Sequence, residues 1–442
     1  MQIDKQTLGD LDIFKAEDDN PAVFDFIDKT KTTGGKYRLR EMFLHPPEGL
    51  QSVKEQQNAI RCLFENIENV NLPFTDRQMK SLEAYLSTNI VVVKDNSFYE
   101  CVKFCFIDIQ AYRYLKNSLP EVAGFINGFY DFLNYRKANL PANLSKAFKE
   151  LEFFINNAEF KKSVTLSVNK RIAFYRILKA DRILRIKLKA NLTSIIKMYY
   201  EADALLSMAQ ATNEYHFVFP EFIENNESLL QATGLYHPIL ANAVPCDVST
   251  DKNSNFIFLT EPNMSGKTTF LKAAGIAVYL AHLGMGVPAA NVQMSYFDRL
   301  FTSLNISDNI LNGYSFFYSE VKRVKQLAGF LSNGEKVFCL FDELFRGTNV
   351  KDAYDATILI ISGLVLWHNS AFILSSHLWE VWGKIRRFKN INPVYFESKT
   401  SNGKPVFSYH LLPGVSDMRL GLKIIENKKI MELLKHGKDY FI

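Results

Sequence analysis

Between about residues 50 and 215, apolar side chains recur every three or four positions while glycine and proline are sparse, which predicts an all-helical half. The clearest stretch runs from about residue 170 to residue 212. There Leu184, Leu188, Leu192, Ile195, Tyr199, Ala202, Leu205 and Met208 or Ala209 keep helical spacing. It predicts one long helix, or two joined by a kink. At about 1.5 Å per residue such a helix suits an arm or lever. After Pro220 the pattern becomes short apolar runs that end in Gly, Asp or Ser and alternate with helical segments, as in a parallel α/β sheet. Residues 256–260, 337–341 and 371–374 are continuous apolar runs suited to strands covered on both faces. The boundary is expected near residues 216–230, giving a helical domain over 1–225 and an α/β domain over 226–442.

The chain has 442 residues, about three times a common domain size, so two or three domains with a sizeable core are expected. With 47% hydrophobic and 22% charged residues, disordered and collagen-like classes are excluded. Fifty-two Lys and Arg against 47 Asp and Glu leave a net charge of only +5, so any nucleic-acid affinity must come from a local basic surface. The five cysteines are scattered, and Cys101 with Cys105 has no second Cys/His pair to complete a zinc site. They read as reduced thiols in a cytosol. The opening residues carry acids and lack an apolar signal core, so no secretory signal is expected. The most apolar stretch, residues 357–374, is interrupted by His368 and Asn369 and fits a buried helix followed by a strand. A soluble, cytoplasmic protein with no membrane partner is expected.

The first apolar run is followed by Glu261, Pro262, Asn263, Met264, Ser265, Gly266, Lys267, Thr268 and Thr269, then an apolar helix over residues 270–283. In a strand, loop and helix of this kind, backbone amides and a helix N-terminus aim donors at phosphate oxygens. Lys267 would reach the β- and γ-phosphates of ATP, and the Thr268 hydroxyl would ligate Mg2+. Glu261 departs from the Gly usual at the first loop position. The second run ends in Asp342 and Glu343, at a sheet edge where ligands bind. Asp342 would hold the metal shell and Glu343 would orient or deprotonate the attacking water. The third run ends in Ser375, Ser376 and His377, placing a histidine where it can donate to a γ-phosphate or to water. Gly313-Tyr314-Ser315, before a helix over residues 316–331, reads as a capped helix N-terminus and a further anion site.

The order of these motifs resembles the MutS family of ABC-type ATPases. The family's Thr-Gly-Pro-Asn-Met-Gly-Gly-Lys-Ser loop is answered by TEPNMSGKTT. GMGVPAANVQMSYFDRLFTSLNISDNI is similar to the family's stretch through Val-Pro-Ala and Asp-Arg-Ile-Phe-Thr, FDELFRGTNVKDA to its Walker B and D-loop segment, and SSHLWEV to its histidine switch. The segments IDKQTLGDLDIF, DFIDKTKTTGGKYRLREMFLHP and EQQNAI look like the opening of the family's core. The resemblance implies an α/β ABC-type P-loop ATPase domain preceded by an all-α core and lever. It implies nucleotide contact by Asn263, Lys267 and Thr268, metal and water handling by Asp342 and Glu343, and γ-phosphate sensing by His377. Ser315 and the loop Arg346-Gly347-Thr348-Asn349 would face the other subunit of a homodimer. It also leads one to expect a short member without the mismatch-reading and connector domains, and with a reduced or lost DNA clamp. Departures are Glu261, Phe316 where the family has Thr, and Ala243 where an aromatic would stack on adenine.

For DNA, the strongest positive stripe is Lys170, Arg171, Arg176, Lys179, Arg182, Arg185, Lys187 and Lys189, broken by the single acid Asp181. It would contact phosphates, or be the solvated face of a lever helix. Phe174 and Tyr175, at helical spacing, read as core side chains. The expected function is an ATP-hydrolysing, homodimeric DNA-binding protein acting in mismatch repair or a related repair or recombination process. The alternatives are a non-catalytic scaffold with a degenerate P-loop, and an ATPase whose arms grip a protein.

Overall fold

A computed structural model describes residues 1–14, 21–65, 67, 72–93, 98–134, 142–158, 160–161, 174–224, 229–260, 266–305, 316–401 and 404–416. Contacts gather into two compact units, one of residues 1–26, 44–54 and 214–442, the other of residues 27–43 and 55–213. Whereas the sequence pattern suggests one cut near residue 225, contacts group the first 26 residues with the sheet-bearing unit.

Regular structure in the second unit is helical throughout its described residues. Helix Ile109–Asn134 buries Leu115, Leu119, Val122, Ile126, Phe129 and Leu133, an apolar stripe at three- and four-residue spacing. The long segment is two helices, Phe174–Arg182 and Lys189–Glu214, joined by a π turn over Ile183–Lys187. In that turn the Leu188 amide donates to Ile183 O at 3.0 Å, one residue further back than an α-helical bond. Tyr199, fully buried, stands at the centre of an aromatic cluster, with ring centroids 5.1 Å from Phe129, 5.4 Å from Phe125 and 6.4 Å from Phe74. Asp203 is 1% exposed and accepts bonds from the Lys31 amide at 3.0 Å and from the Thr32 amide and hydroxyl at 2.9 and 2.6 Å. Gly35 is what leaves room for that carboxylate.

The sheet-bearing unit contains strands β1 (Glu221–Phe222), β2 (Leu230–Leu235), β3 (Cys246–Thr250), β4 (Phe256–Thr260), β5 (Asn291–Met294), β6 (Arg299–Ser303), β7 (Val337–Asp342), β8 (Ala371–Ser376), β9 (Ile391–Ser401) and β10 (Lys404–Pro413). Six form one sheet in the order β10-β9-β4-β8-β7-β6, parallel except for the antiparallel β10 edge. The other four make a smaller mixed sheet, β1-β5-β2-β3. The three apolar runs are β4, β7 and β8, and every residue of each is buried. Continuous burial is what a parallel sheet covered on both faces demands.

The N-terminal helix Lys5–Asp10 joins this unit through buried polar bonds. Asp10 accepts from the Thr302 hydroxyl at 2.7 Å and from the Leu304 and Asn305 amides at 3.0 and 3.2 Å. Arg323, 5% exposed, donates to Thr302 O, Thr7 Oγ1 and Asp4. Pairing of this kind is what makes buried charge tolerable.

Candidate functional site

The parallel register brings three strand ends together: Thr260 lies opposite Ser376, and Asp342 opposite Ser375. Lys267, Thr268, Asp342, Glu343 and His377 lie at or just after these strand ends. After β4 the chain enters helix Lys267–His282 through Gly266, whose φ of +100° is left-handed. A Cβ there would also lie 3.2 Å from the Tyr409 ring, so both conformation and space call for glycine.

Lys267, on the first turn, is 7% exposed; its Nζ lies 3.1 and 3.0 Å from the two His377 ring nitrogens and 3.7 Å from Glu343 Oε1. The Thr268 hydroxyl donates to Asp342 Oδ2 at 2.7 Å, and the Ser375 hydroxyl donates to Oδ1 of the same carboxylate. Glu343 takes a φ of +58°, and its amide donates to Ser375 O at 3.0 Å. Its Oε1 pairs with His377 Nε2 and its Oε2 lies 2.9 Å from Arg346 Nε. Burial pushes the Glu343 carboxyl up. The His377 hydrogen bond, together with the charges of His377, Arg346 and Lys267, outweighs burial and holds it below its ordinary value. Thus Lys267, Thr268, Asp342, Glu343 and His377, singled out in sequence, converge within hydrogen-bond or ion-pair reach.

A hydroxyl and a carboxylate in contact form a hard-oxygen donor pair suited to Mg2+, which takes one or two protein oxygens and completes its shell with water and phosphate. No group of three or more His, Cys, Asp or Glu capable of holding a metal occurs among the described residues, so a cation here would need such outside ligands. The residues present therefore fit Mg2+ bound together with a phosphate.

Beside Gly266 lies a hollow of about 410 Å³ whose walls include Tyr236, His237, Ala243, Phe270, Phe396 and Tyr409. Tyr409 escapes sequence reading. It is 41% exposed at a φ of +57°, where the β9–β10 register shifts between Phe407 and Leu411. That irregularity, which brings an aromatic to the hollow where Ala243 supplies none, leaves no periodic signal in sequence. A hollow of about 920 Å³ in the helical unit has Lys80, Lys189 and Lys197 interspersed with Glu41, Glu83 and Glu201, so no single charge sign marks a ligand there.

Other expectations are not met or cannot be placed. Pro262, Asn263, Met264, Ser265, Ser315, Lys170 and Arg171 lie outside the described residues. Arg185 has to be removed from the phosphate-contacting stripe: it is 7% exposed, with Nε 2.6 Å from Asp181 Oδ1 and Nη1 2.8 Å from Ile90 O. The π turn over Ile183–Lys187 contains it. Arg176 is exposed, and Lys179 and Arg182 are half-buried. Tyr175 is 42% exposed rather than core, with its hydroxyl oxygen 3.2 Å from Arg176 Nε. Arg346 folds back onto its own strand end, donating to Asp342 O at 2.8 Å.

Residues 257–437 match the family model of MutS domain V. The chain is 28% identical over 309 residues to the DNA mismatch repair protein MutS of a Geobacillus species, a match covering 68% of this chain and 34% of that protein. It is 24% identical over 542 residues to the DNA mismatch repair protein MSH3 of Candida glabrata, covering 96% of this chain and 53% of that protein. MutS of Lactobacillus johnsonii is 25% identical over 241 residues, 53% of this chain and 28% of that protein. The chain thus spans about half or less of the length of these relatives. The 542-position alignment exceeds the 442 residues of this chain, so within the matched span MSH3 carries segments without a counterpart here.

Proposed function

The chain belongs to the MutS family through its domain V, and on that premise we propose that it is an ATPase of the ABC type, hydrolysing ATP at composite sites of a homodimer that binds DNA. The observation that carries this reading is the convergence of Lys267, Thr268, Asp342, Glu343 and His377 on one sheet edge. Lys267 and the N-terminus of its helix would neutralise the β- and γ-phosphates. Bound there, Mg2+ would supply further charge neutralisation, held by Thr268 and Asp342. Pro262, Asn263, Met264, Ser265, Gly266 and Thr269 would contact the nucleotide, and the base would rest in the hollow walled by Tyr236 and Tyr409. A carboxylate held low, as Glu343 is, stays ionised at neutral pH, which suits it to orienting water. For His377 to reach a γ-phosphate it must leave Glu343. Ser315 would complete the site of the partner.

The biological setting would be mismatch repair or a related repair or recombination process in the cytoplasm, with helical arms and a reduced clamp. Support comes from the relatives' mismatch-repair names and from the unmatched segments within the MSH3 alignment. DNA phosphates would meet Arg176, Lys179 and Arg182, joined by Lys170 and Arg171. No described helix is long and apolar enough to cross a membrane. A second reading, a scaffold that does not hydrolyse ATP, is favoured by Glu261 at the head of the loop. Turnover of Glu343→Gln separates the two. The ATPase reading expects kcat to fall about a hundredfold or more with ATP still bound, whereas undiminished turnover removes Glu343 from the reaction. A wild-type chain that binds no ATP leaves the scaffold.

A further inference from the structure

The turn after β7 is held in an unusual conformation, with two non-glycine residues, Glu343 at a φ of +58° and Phe345 at +65°, in the left-handed region. Such residues persist where surrounding bonds over-determine them. Ser375 O secures the Glu343 amide. The Phe345 amide is secured from a different element, donating at 3.0 Å to Oε1 of Glu320 on helix Phe316–Ser332. Glu320 is 3% exposed. Its other oxygen, Oε2, is buried without a hydrogen-bond partner. Burial pushes this carboxyl up, and the amides of Arg346, Phe345 and Gly347 pull against that without cancelling it. Around it, Phe317 packs on Phe345 with ring centroids 5.6 Å apart. If apolar packing were the only requirement here, a leucine would serve without burying a half-paired carboxyl group.

We propose that Glu320 is a positioning residue for the hydrolytic turn: by gripping the Phe345 amide it fixes the backbone that aims Glu343 at the site and lays Arg346 against Asp342 and Glu343. The inference deepens the proposed ATPase reading and rests on it. The hydrogen bond of Glu320 goes to the Phe345 amide rather than to Lys267, Thr268 or Asp342, so its loss should spare nucleotide binding while slowing turnover. A residue that only stabilised the fold would show no such split.

The experiment measures steady-state ATP hydrolysis, equilibrium Mg-ATP binding and thermal midpoint for the full chain carrying Glu320→Leu, Glu320→Asp or Glu320→Gln. Glu320→Leu, and Glu320→Asp, which withdraws the acceptor by one methylene, should each lower kcat at least tenfold with the ATP Kd within twofold. Glu320→Gln keeps an acceptor oxygen and should retain half or more of kcat. Combining Glu320→Leu with Glu343→Gln should cost no more than Glu343→Gln alone, because both act through one carboxylate. Folded Leu and Asp variants with wild-type kcat, or losses that multiply in the double variant, would overturn the inference. If Glu320→Leu fails to fold, the Asp and Gln pair decides alone. Undiminished turnover in Glu343→Gln would overturn the underlying reading instead, and this inference with it.

Discussion

His282 is fully buried, and both of its ring nitrogens are committed. Nδ1 lies 2.7 Å from Val278 O, which only accepts, and Nε2 accepts from the Phe297 amide at 3.0 Å, so the ring is neutral with its proton on Nδ1. Protonating Nε2 would set it against that amide. Burial lowers the His282 pKa from 6.5 to about 3. Between those values the unfolded chain binds the extra proton, so the contribution to stability is complete above about pH 6.5 and is lost as pH falls toward 3, at about 1.4 kcal/mol per pH unit. Denaturant unfolding followed from pH 7 to pH 5 should show this slope in the wild-type chain and a shallower one in His282→Gln; equal slopes would remove His282 as the source. Residues of the candidate site differ in how far the sequence discloses them. Lys267, Asp342, Glu343 and His377 end apolar runs or open an apolar helix, and a parallel sheet gathers such ends at one edge. Tyr409 meets the hollow through a register shift and Glu320 meets the turn after β7 through tertiary packing, neither of which leaves a periodic trace.

Among elements, the junction of Phe174–Arg182 with Lys189–Glu214 separates structural charge from surface charge. Sequence spacing leaves one long helix or two joined by a kink, and does not give the π turn that holds Arg185, which pairs with Asp181. Tyr85 completes that cluster, donating to Asp181 Oδ1 at 2.9 Å. Arg185→Ala strands a buried carboxylate and should cost about 3–5 kcal/mol in chemical denaturation, whereas reversing Arg176 and Lys179 to Glu should leave stability within about 1 kcal/mol. The double reversal should instead weaken binding to duplex or branched DNA and flatten its dependence on salt. Unchanged affinity and salt slope would move any DNA contact away from this helix. Strands β4, β7 and β8 were readable as buried apolar runs, while the short strands of the smaller sheet were not, since strands as brief as Glu221–Phe222 carry too few positions for alternation to register.

At the level of the whole molecule, contacts gather the chain into two compact units, and the first 26 residues fall in the sheet-bearing one. Their reason for doing so, Asp4 and Asp10 meeting Arg323 and Thr302 some 300 positions away, is a long-range pairing that no local window contains. The family match covers residues 257–437, which include Lys267, Thr268, Asp342, Glu343 and His377. The proposed function depends on Lys267 and Asp342 serving one triphosphate and its metal. Equilibrium titration of ATP, with and without Mg2+, into the wild-type chain and Lys267→Ala tests this most directly. The account predicts Mg2+-strengthened binding that weakens about a hundredfold, or about 2.7 kcal/mol, in Lys267→Ala; equal affinity of the two proteins, or indifference to Mg2+, would contradict it.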